Sequence, residues 1–232
     1  MFALILQSAS KIFIFTLSKP NMMKKTLFTL SFILLAVIAF AQNFEGKIVY
    51  HNAYKSKSPT FSDAQLTKVM GDTQNWYIKN GEYKSDLNGI YIQWQLYANA
   101  ENKLYTKLGN TDTVYYNDAA QGESEISNVQ LNKGVAEILG YKCDELILTT
   151  KSGSEKYYFS SKLPINSKLF LNHKFGDWYA YLAKANAVPL KTIIDTPQFA
   201  LESVATEVTP MKLEKSFFTL QPGTKISKSP NN

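Results

Sequence analysis

The sequence predicts an α+β fold that is mostly β, built on an antiparallel sheet with a few short helices. Three observations carry that reading. Aromatic residues make up 13% of the chain, with 14 Tyr among them, and aromatic side chains suit a pleated, half-buried surface. Turn-forming residues recur at the spacing of about 8–12 residues that marks successive short strands. Ile90 to Tyr97 alternates cleanly, with Ile90, Ile92, Trp94 and Leu96 on one side and Tyr91, Gln93, Gln95 and Tyr97 on the other.

Phe44 to Tyr54 (FEGKIVYHNAY) reads as the first strand. Ser62 is placed to N-cap a short helix running to Met70. Trp76 to Lys79, the pair Asn80-Gly81, then Glu82 to Leu87 spell a hairpin, because both central residues of a type I′ turn need positive φ. Asn88-Gly89 repeats that signal before the alternating strand. Lys103 to Leu108 and Thr113 to Asn117 continue a meander in which neighbours in sequence pair in space. Residues 118–125 (DAAQGESE) are polar loop. Val129 to Leu131 and Val135 to Leu139 read as two short strands about Asn132-Lys133-Gly134. Tyr141 to Thr150 and Lys156 to Ser160 follow, and Leu163-Pro164 ends that run. Trp178, Tyr181 and Leu182 recur at helical spacing after Asp177, an N-cap residue type, so one or two short helices, split near Gly176, are expected over 166–187. Leu190 to Ile194 and Phe199 to Val208 return to strand, and residues 225–232 are expected to be a disordered tail.

Met23 to Gln42 (MKKTLFTLSFILLAVIAFAQ) has the layout of an export signal. Lys24 and Lys25 form a basic start, Leu27 to Phe40 is free of charge, and Ala39-Phe40-Ala41 supplies the small residues a signal peptidase requires. Residues 1–22 then read as a spurious extension from a wrongly chosen start, or as part of a longer leader, and 23–41 as the signal peptide. The apolar run falls short of the about 20 residues that span a bilayer, and no later segment is longer, so no transmembrane segment is expected in the mature chain. Residues 42–224 are expected to form a single domain. The mature protein is expected in the periplasm or at the outer membrane. It is not expected to be a lipoprotein, since Gln42 rather than Cys follows the cleavage site.

Of the 25 basic residues, Lys11, Lys19, Lys24 and Lys25 precede Gln42, which leaves 21 against 19 acidic ones. No basic run with interleaved aromatics remains, so nucleic-acid binding is not indicated. The lone Cys143 rules out an intramolecular disulfide. It reads as a small buried residue in a strand, with an intermolecular disulfide or a reactive thiol as the alternatives.

FEGKIVY after the leader, GYKCDELILTT in mid-chain and the closing MKLEKSFFTLQPGTK resemble uncharacterised secreted bacterial domains of the LolA/LolB-like lipoprotein-carrier type. That resemblance extends over nearly the whole mature chain, and the order of elements carries it further than any single motif. It implies a curved antiparallel sheet, an open half-barrel, with short helices packed on the concave side.

No catalytic constellation stands out. GxSxG, GxGxxG and the P-loop pattern are all missing. His51 and His173 are the only histidines and lie far apart in sequence, so neither a metal site nor a cofactor is expected. Trp76 and Ile78, with Ile90, Ile92, Trp94 and Leu96, are expected to share one sheet face. That face is either a filled core or an open apolar cleft. In a cleft, an acyl chain would gain about 0.8 kcal/mol per buried methylene.

The leading expectation is therefore a non-catalytic envelope protein that binds a lipid, an acyl chain or a lipoprotein segment on these residues. The second is an interaction module for an envelope protein or a glycan, using Tyr91, Gln93, Gln95 and Tyr97 on the convex face. A hydrolase is third.

Overall fold

The structure, a computed structural model, describes residues 43–230; the extension 1–22 and signal peptide 23–41 read from the sequence lie outside them. Six strands come first: β1 (Gly46–Ser56), β2 (Thr73–Lys79), β3 (Glu82–Leu87), β4 (Ile92–Ala98), β5 (Lys103–Leu108) and β6 (Val114–Asp118). Five more follow: β7 (Ile126–Ile138), β8 (Tyr141–Thr150), β9 (Gly153–Pro164), β10 (Ala187–Asp195) and β11 (Phe199–Pro210). A short β12 (Ile226–Lys228) closes the series. Two α-helices interrupt it, α1 (Asp63–Met70) and α2 (Trp178–Ala185).

All twelve strands belong to one open sheet in the order β12-β6-β5-β4-β3-β2-β1-β11-β10-β9-β8-β7. Two antiparallel meanders meet where β1 pairs with β11. The chain passes from β6, near one edge, to β7, at the opposite edge, through residues 119–125 alone. A flat sheet would hold those strands about 48 Å apart at about 4.8 Å per strand. The connecting residues reach less than about 30 Å when fully extended. The sheet must therefore curl, and the result is an open half-barrel.

The inner face carries the main core. Ile48, Ile78, Tyr97, Leu146, Leu148 and Leu190 lie on it almost fully buried. Helix α2 packs over β8, β9 and β10 through Tyr181 and Leu182. Gly176, at φ +62, kinks the turn of 3-10 helix Phe175–Asp177 that leads directly into α2. Helix α1 buries no residue and packs beside β1. Ser62 is its N-cap, as the sequence predicts, and Gln65 completes a capping box: Gln65 N donates to Ser62 Oγ at 3.2 Å and Ser62 N donates to Gln65 Oε1 at 2.8 Å.

The outer face has a smaller core of its own. Leu96, Tyr105 and Val114 are covered there by Leu213 and Phe218 from the segment after β11. Glu45 ties that segment down. Its carboxylate accepts from Leu213 N at 2.6 Å and pairs with Lys79 at 3.2 Å.

Several local expectations are corrected. Asn80 (φ +46) and Gly81 (φ +86) form the predicted hairpin turn, but Asn88-Gly89 does not repeat it. Asn88 instead bonds Thr73 N and Asp72, and Gly89 lies against the end of α1. Residues 126–138 form one strand rather than two, because Asn132 to Ala136 is a register shift and not a turn. Within that bulge Gly134 N and Lys133 both reach the Asp144 carboxylate. The tail expected to be disordered contributes β12, which pairs in parallel with β6 and covers an edge otherwise left open.

A Cβ at Gly89 would sit 2.4 Å from the Met70 carbonyl carbon. One at Gly134 (φ +61) would meet nothing within 4 Å. Gly89→Ala should therefore cost roughly 2–3 kcal/mol in urea unfolding and Gly134→Ala about 1 kcal/mol. Equal losses would contradict the close approach of α1 to the β3–β4 connection.

Candidate functional site

A cavity of about 320 Å³ opens on the inner face, at the small end of the range for ligand pockets. Trp76, Tyr83 and Leu104 from one meander form one wall. Tyr157, Ile194 and Leu201 from the other form the opposite wall. Strands β5 and β9 could not share a cavity across a flat sheet, so the curl creates the site. The roof comes from Phe175, Gly176 and Trp178, at the start of α2.

The roof is fixed by the residues that join the two sheet edges. Ala119 O accepts from Lys174 N at 2.7 Å and from Phe175 N at 3.1 Å. Ser124 N donates to the Asp177 carboxylate at 2.7 Å. Asp177 was expected to cap α2 through its side chain. It does sit at the N-cap position, but with φ +56 and no side-chain cap bond, because that carboxylate is used on Ser124.

Behind the roof lies a cluster of rings. Trp178 meets Trp76 at 6.1 Å and Tyr83 at 6.0 Å, and Tyr181 stacks on Tyr157 at 4.2 Å. His173 lies in the same cluster, 4.1 Å from Tyr97, and its Nε2 shares a 2.9 Å hydrogen bond with Tyr83 Oη. Burial pushes its pKa down to about 4, so the ring is neutral at neutral pH. Burial also raises the Tyr83 phenol, which keeps it a neutral partner. Close by, burial raises Glu155, which accepts a hydrogen bond from Tyr157 Oη.

The cavity floor is partly polar. Ser85 accepts from Gln74 Nε2 at 2.7 Å, and Ser203, Thr192 and Gln95 complete that side. Asn52 Oδ1, beside Ser203 in the β1–β11 register, is buried without a partner, as are His173 Nδ1 and Trp178 Nε1.

The six residues proposed from sequence do not share a face. Paired residues on neighbouring strands point the same way, and the register links Trp76 to Ser85 and Ser85 to Gln95. Trp94 and Leu96 therefore point outward, into the smaller core. A bulge at Gln93 returns Ile92 to the inner face, paired with Leu108. Ile90 precedes the strand and is 60% exposed. Ile78 is on the inner face but is fully packed. Trp76 alone of the six lines the cavity.

The same register overturns the convex Tyr/Gln face, since Gln95 lies on the inner face and Tyr97 is fully buried. The contributions of β10, β11 and the roof went unrecognised because they depend on pairings distant in sequence. Their one sequence signal was the alternation of Phe199 to Val208.

His51 is exposed on β1 and His173 is buried, so the structure does not bring them together. No carboxylate or histidine lines the cavity among the described residues. Among those residues no group of His, Cys, Asp and Glu is placed to hold a metal ion, and no helix is long and apolar enough to cross a membrane. Cys143 is fully buried on β8, where burial raises its thiol pKa.

No protein-family model matches the chain, and no curated protein matches it. Solved structures similar to it include a LolA superfamily protein of Nitrosomonas europaea, at 9% identity and a TM-score of 0.35, over 78% of this chain and 91% of that one. LprF of Mycobacterium bovis is similar at 11% identity and a TM-score of 0.32, over 74% of this chain and 89% of that one. At these scores neither likeness carries an argument about function.

His173 should impose a pH dependence. Its pKa is about 4 in the folded protein and about 6.5 when unfolded. The unfolded chain therefore binds the proton first. Stability should fall as pH drops from about 6.5 to about 4, by roughly 3 kcal/mol from this group. His173→Gln should flatten the melting-temperature profile across that window. An unchanged slope would refute the buried neutral imidazole.

Proposed function

We propose that this chain is an exported, non-catalytic protein of the cell envelope that binds an apolar ligand in the half-barrel cleft. The ligand is a lipid, an acyl chain or an acylated segment of a lipoprotein. One observation carries the reading: a cavity of about 320 Å³ stays open between the two meanders, walled by Trp76, Tyr83, Trp178, Ile194 and Leu201. Rings at and beside the cavity are fixed by hydrogen bonds. Tyr50 Oη bonds Pro189 O at 2.7 Å, Tyr181 Oη bonds Ala187 O at 2.8 Å, and His173 holds Tyr83. An acyl chain entering this space exchanges water contact for contact with rings and aliphatic side chains. The gain is about 0.8 kcal/mol per methylene, which suffices for binding without a charged anchor.

Binding by this route calls for no reacting group. Its parts are a rigid two-sided wall and a roof whose position depends on a few backbone bonds to residues 119–124. Entry and release would proceed by parting of those bonds, with the roof turning about Gly176. Export fits the leader read from the sequence, and an exported carrier meets lipids at either face of the envelope.

Native mass spectrometry of protein made in a bacterial periplasm, followed by organic extraction, should recover a bound lipid near one per chain. Thr192→Trp places an indole in the cavity and should reduce that occupancy at least about fivefold, with the melting temperature little changed. A chain that purifies empty and takes up no apolar probe would refute the reading. So would equal occupancy in the Trp variant.

A further inference from the structure

A second cavity, of about 380 Å³, adjoins the first on the inner face. Gln95 lines both. The two differ in chemistry. The first is walled mainly by rings and aliphatic side chains. The second presents Tyr91, Gln95, Thr106, Asn110, Tyr115 and Asn117.

The register accounts for the change. Gln95, Thr106 and Tyr115 lie side by side across β4, β5 and β6 on the inner face. The bulge at Gln93 brings Ile92 and Leu108 to the same surface. The second cavity thus offers amide and hydroxyl groups around a small apolar patch. Gln95 makes one long contact with Thr106, at 3.3 Å. The phenols of Tyr91 and Tyr115 and the amides of Asn110 and Asn117 make no side-chain hydrogen bond to another described residue.

No Lys, Arg, Asp, Glu or His lines either cavity. Charged residues make up 19% of the chain, so an uncharged lining across two adjoining cavities restricts the ligand. An ionised head placed there would lose part of its hydration and find no counter-charge. A hydroxyl-bearing head would instead meet groups that both donate and accept.

We propose that the ligand is an uncharged amphiphile. Its chain lies in the aromatic-walled cavity, and its hydroxyl-bearing head lies among Tyr91, Gln95, Tyr115 and Asn117. This rests on the binding function proposed above and adds the chemical class of the head group. Gln95, at the shared wall, sits where chain and head join.

Calorimetry with lipid-stripped protein at pH 8 tests it, using three probes with twelve-carbon chains: 1-monolauroylglycerol, laurate and dodecylammonium. The neutral probe should bind at least about tenfold more tightly than either ion. In the double variant Tyr91→Phe/Asn117→Leu the affinity for the neutral probe should fall at least about threefold. A cooperative melt within a few degrees of the natural protein's reports that the variant is folded. A preference below about tenfold in the natural protein would overturn the head-group assignment, as would a neutral-probe affinity the variant leaves intact. Binding of none of the three probes would instead overturn the cavity reading itself, and this proposal with it.

Discussion

Residues 119–125 impose the constraint on which the rest of the structure depends. They are too few to join opposite edges of a flat twelve-strand sheet, so the sheet curls. The same residues then clasp the turn before α2, through Ala119 O to Lys174 N and Phe175 N and through Ser124 N to Asp177. Curvature and roof therefore have one cause. Gly122 shows how closely the two segments approach: at φ +80, a Cβ there would stand 3.0 Å from the Phe175 ring. A cavity walled by both meanders follows from this geometry, because side chains on β5 and β9 come to face each other only when the edges are drawn together.

The two faces of the sheet divide the work. On the outer face the segment after β11 covers Leu96, Tyr105 and Val114 and leaves each of them almost fully buried. On the inner face the helical segment covers β8 to β10 through Tyr181 and Leu182 and reaches β2, β3 and β4 through Trp178 and His173, with the cavity beside them. Hydrogen bonds from Tyr50 and Tyr181 to backbone carbonyls keep those rings in place. A buried hydroxyl with a partner resists moving, since leaving the bond unmade costs about 1–3 kcal/mol. The opening is thus maintained by polar groups inside an apolar wall. His173 belongs to the same arrangement, because its neutral ring shares a hydrogen bond with Tyr83 Oη.

Much of the fold is legible in the sequence, because strands and turns are local. Asn80-Gly81, the Ser62 N-cap and the break at Gly176 were each readable from residue type and spacing. Faces were harder. Alternation separates two sides of a strand but does not say which is inner, and the bulge at Gln93 swaps the sides within β4. That single insertion sends Trp94 and Leu96 outward while Ile92 and Gln95 face in. The Asn132 to Ala136 bulge misled in the same way, since a polar stretch with Gly is shared by turns and bulges. The walls supplied by Thr192, Ile194, Leu201 and Ser203 were legible only as strands, not as walls, because their place in the cavity depends on pairing across the whole chain.

The claim that an apolar molecule occupies the space between the meanders can be tested by photocrosslinking. A twelve-carbon alcohol bearing a diazirine near the end of its chain would be irradiated with the protein, and the adducts mapped by peptide mass spectrometry. Adducts concentrated at Trp178, Ile194 and Leu201, and competed away by unlabelled lipid, are the predicted result. Adducts concentrated instead on the outer segment 213–220, or along the exposed residues Val129 and Leu131 of β7, would contradict it.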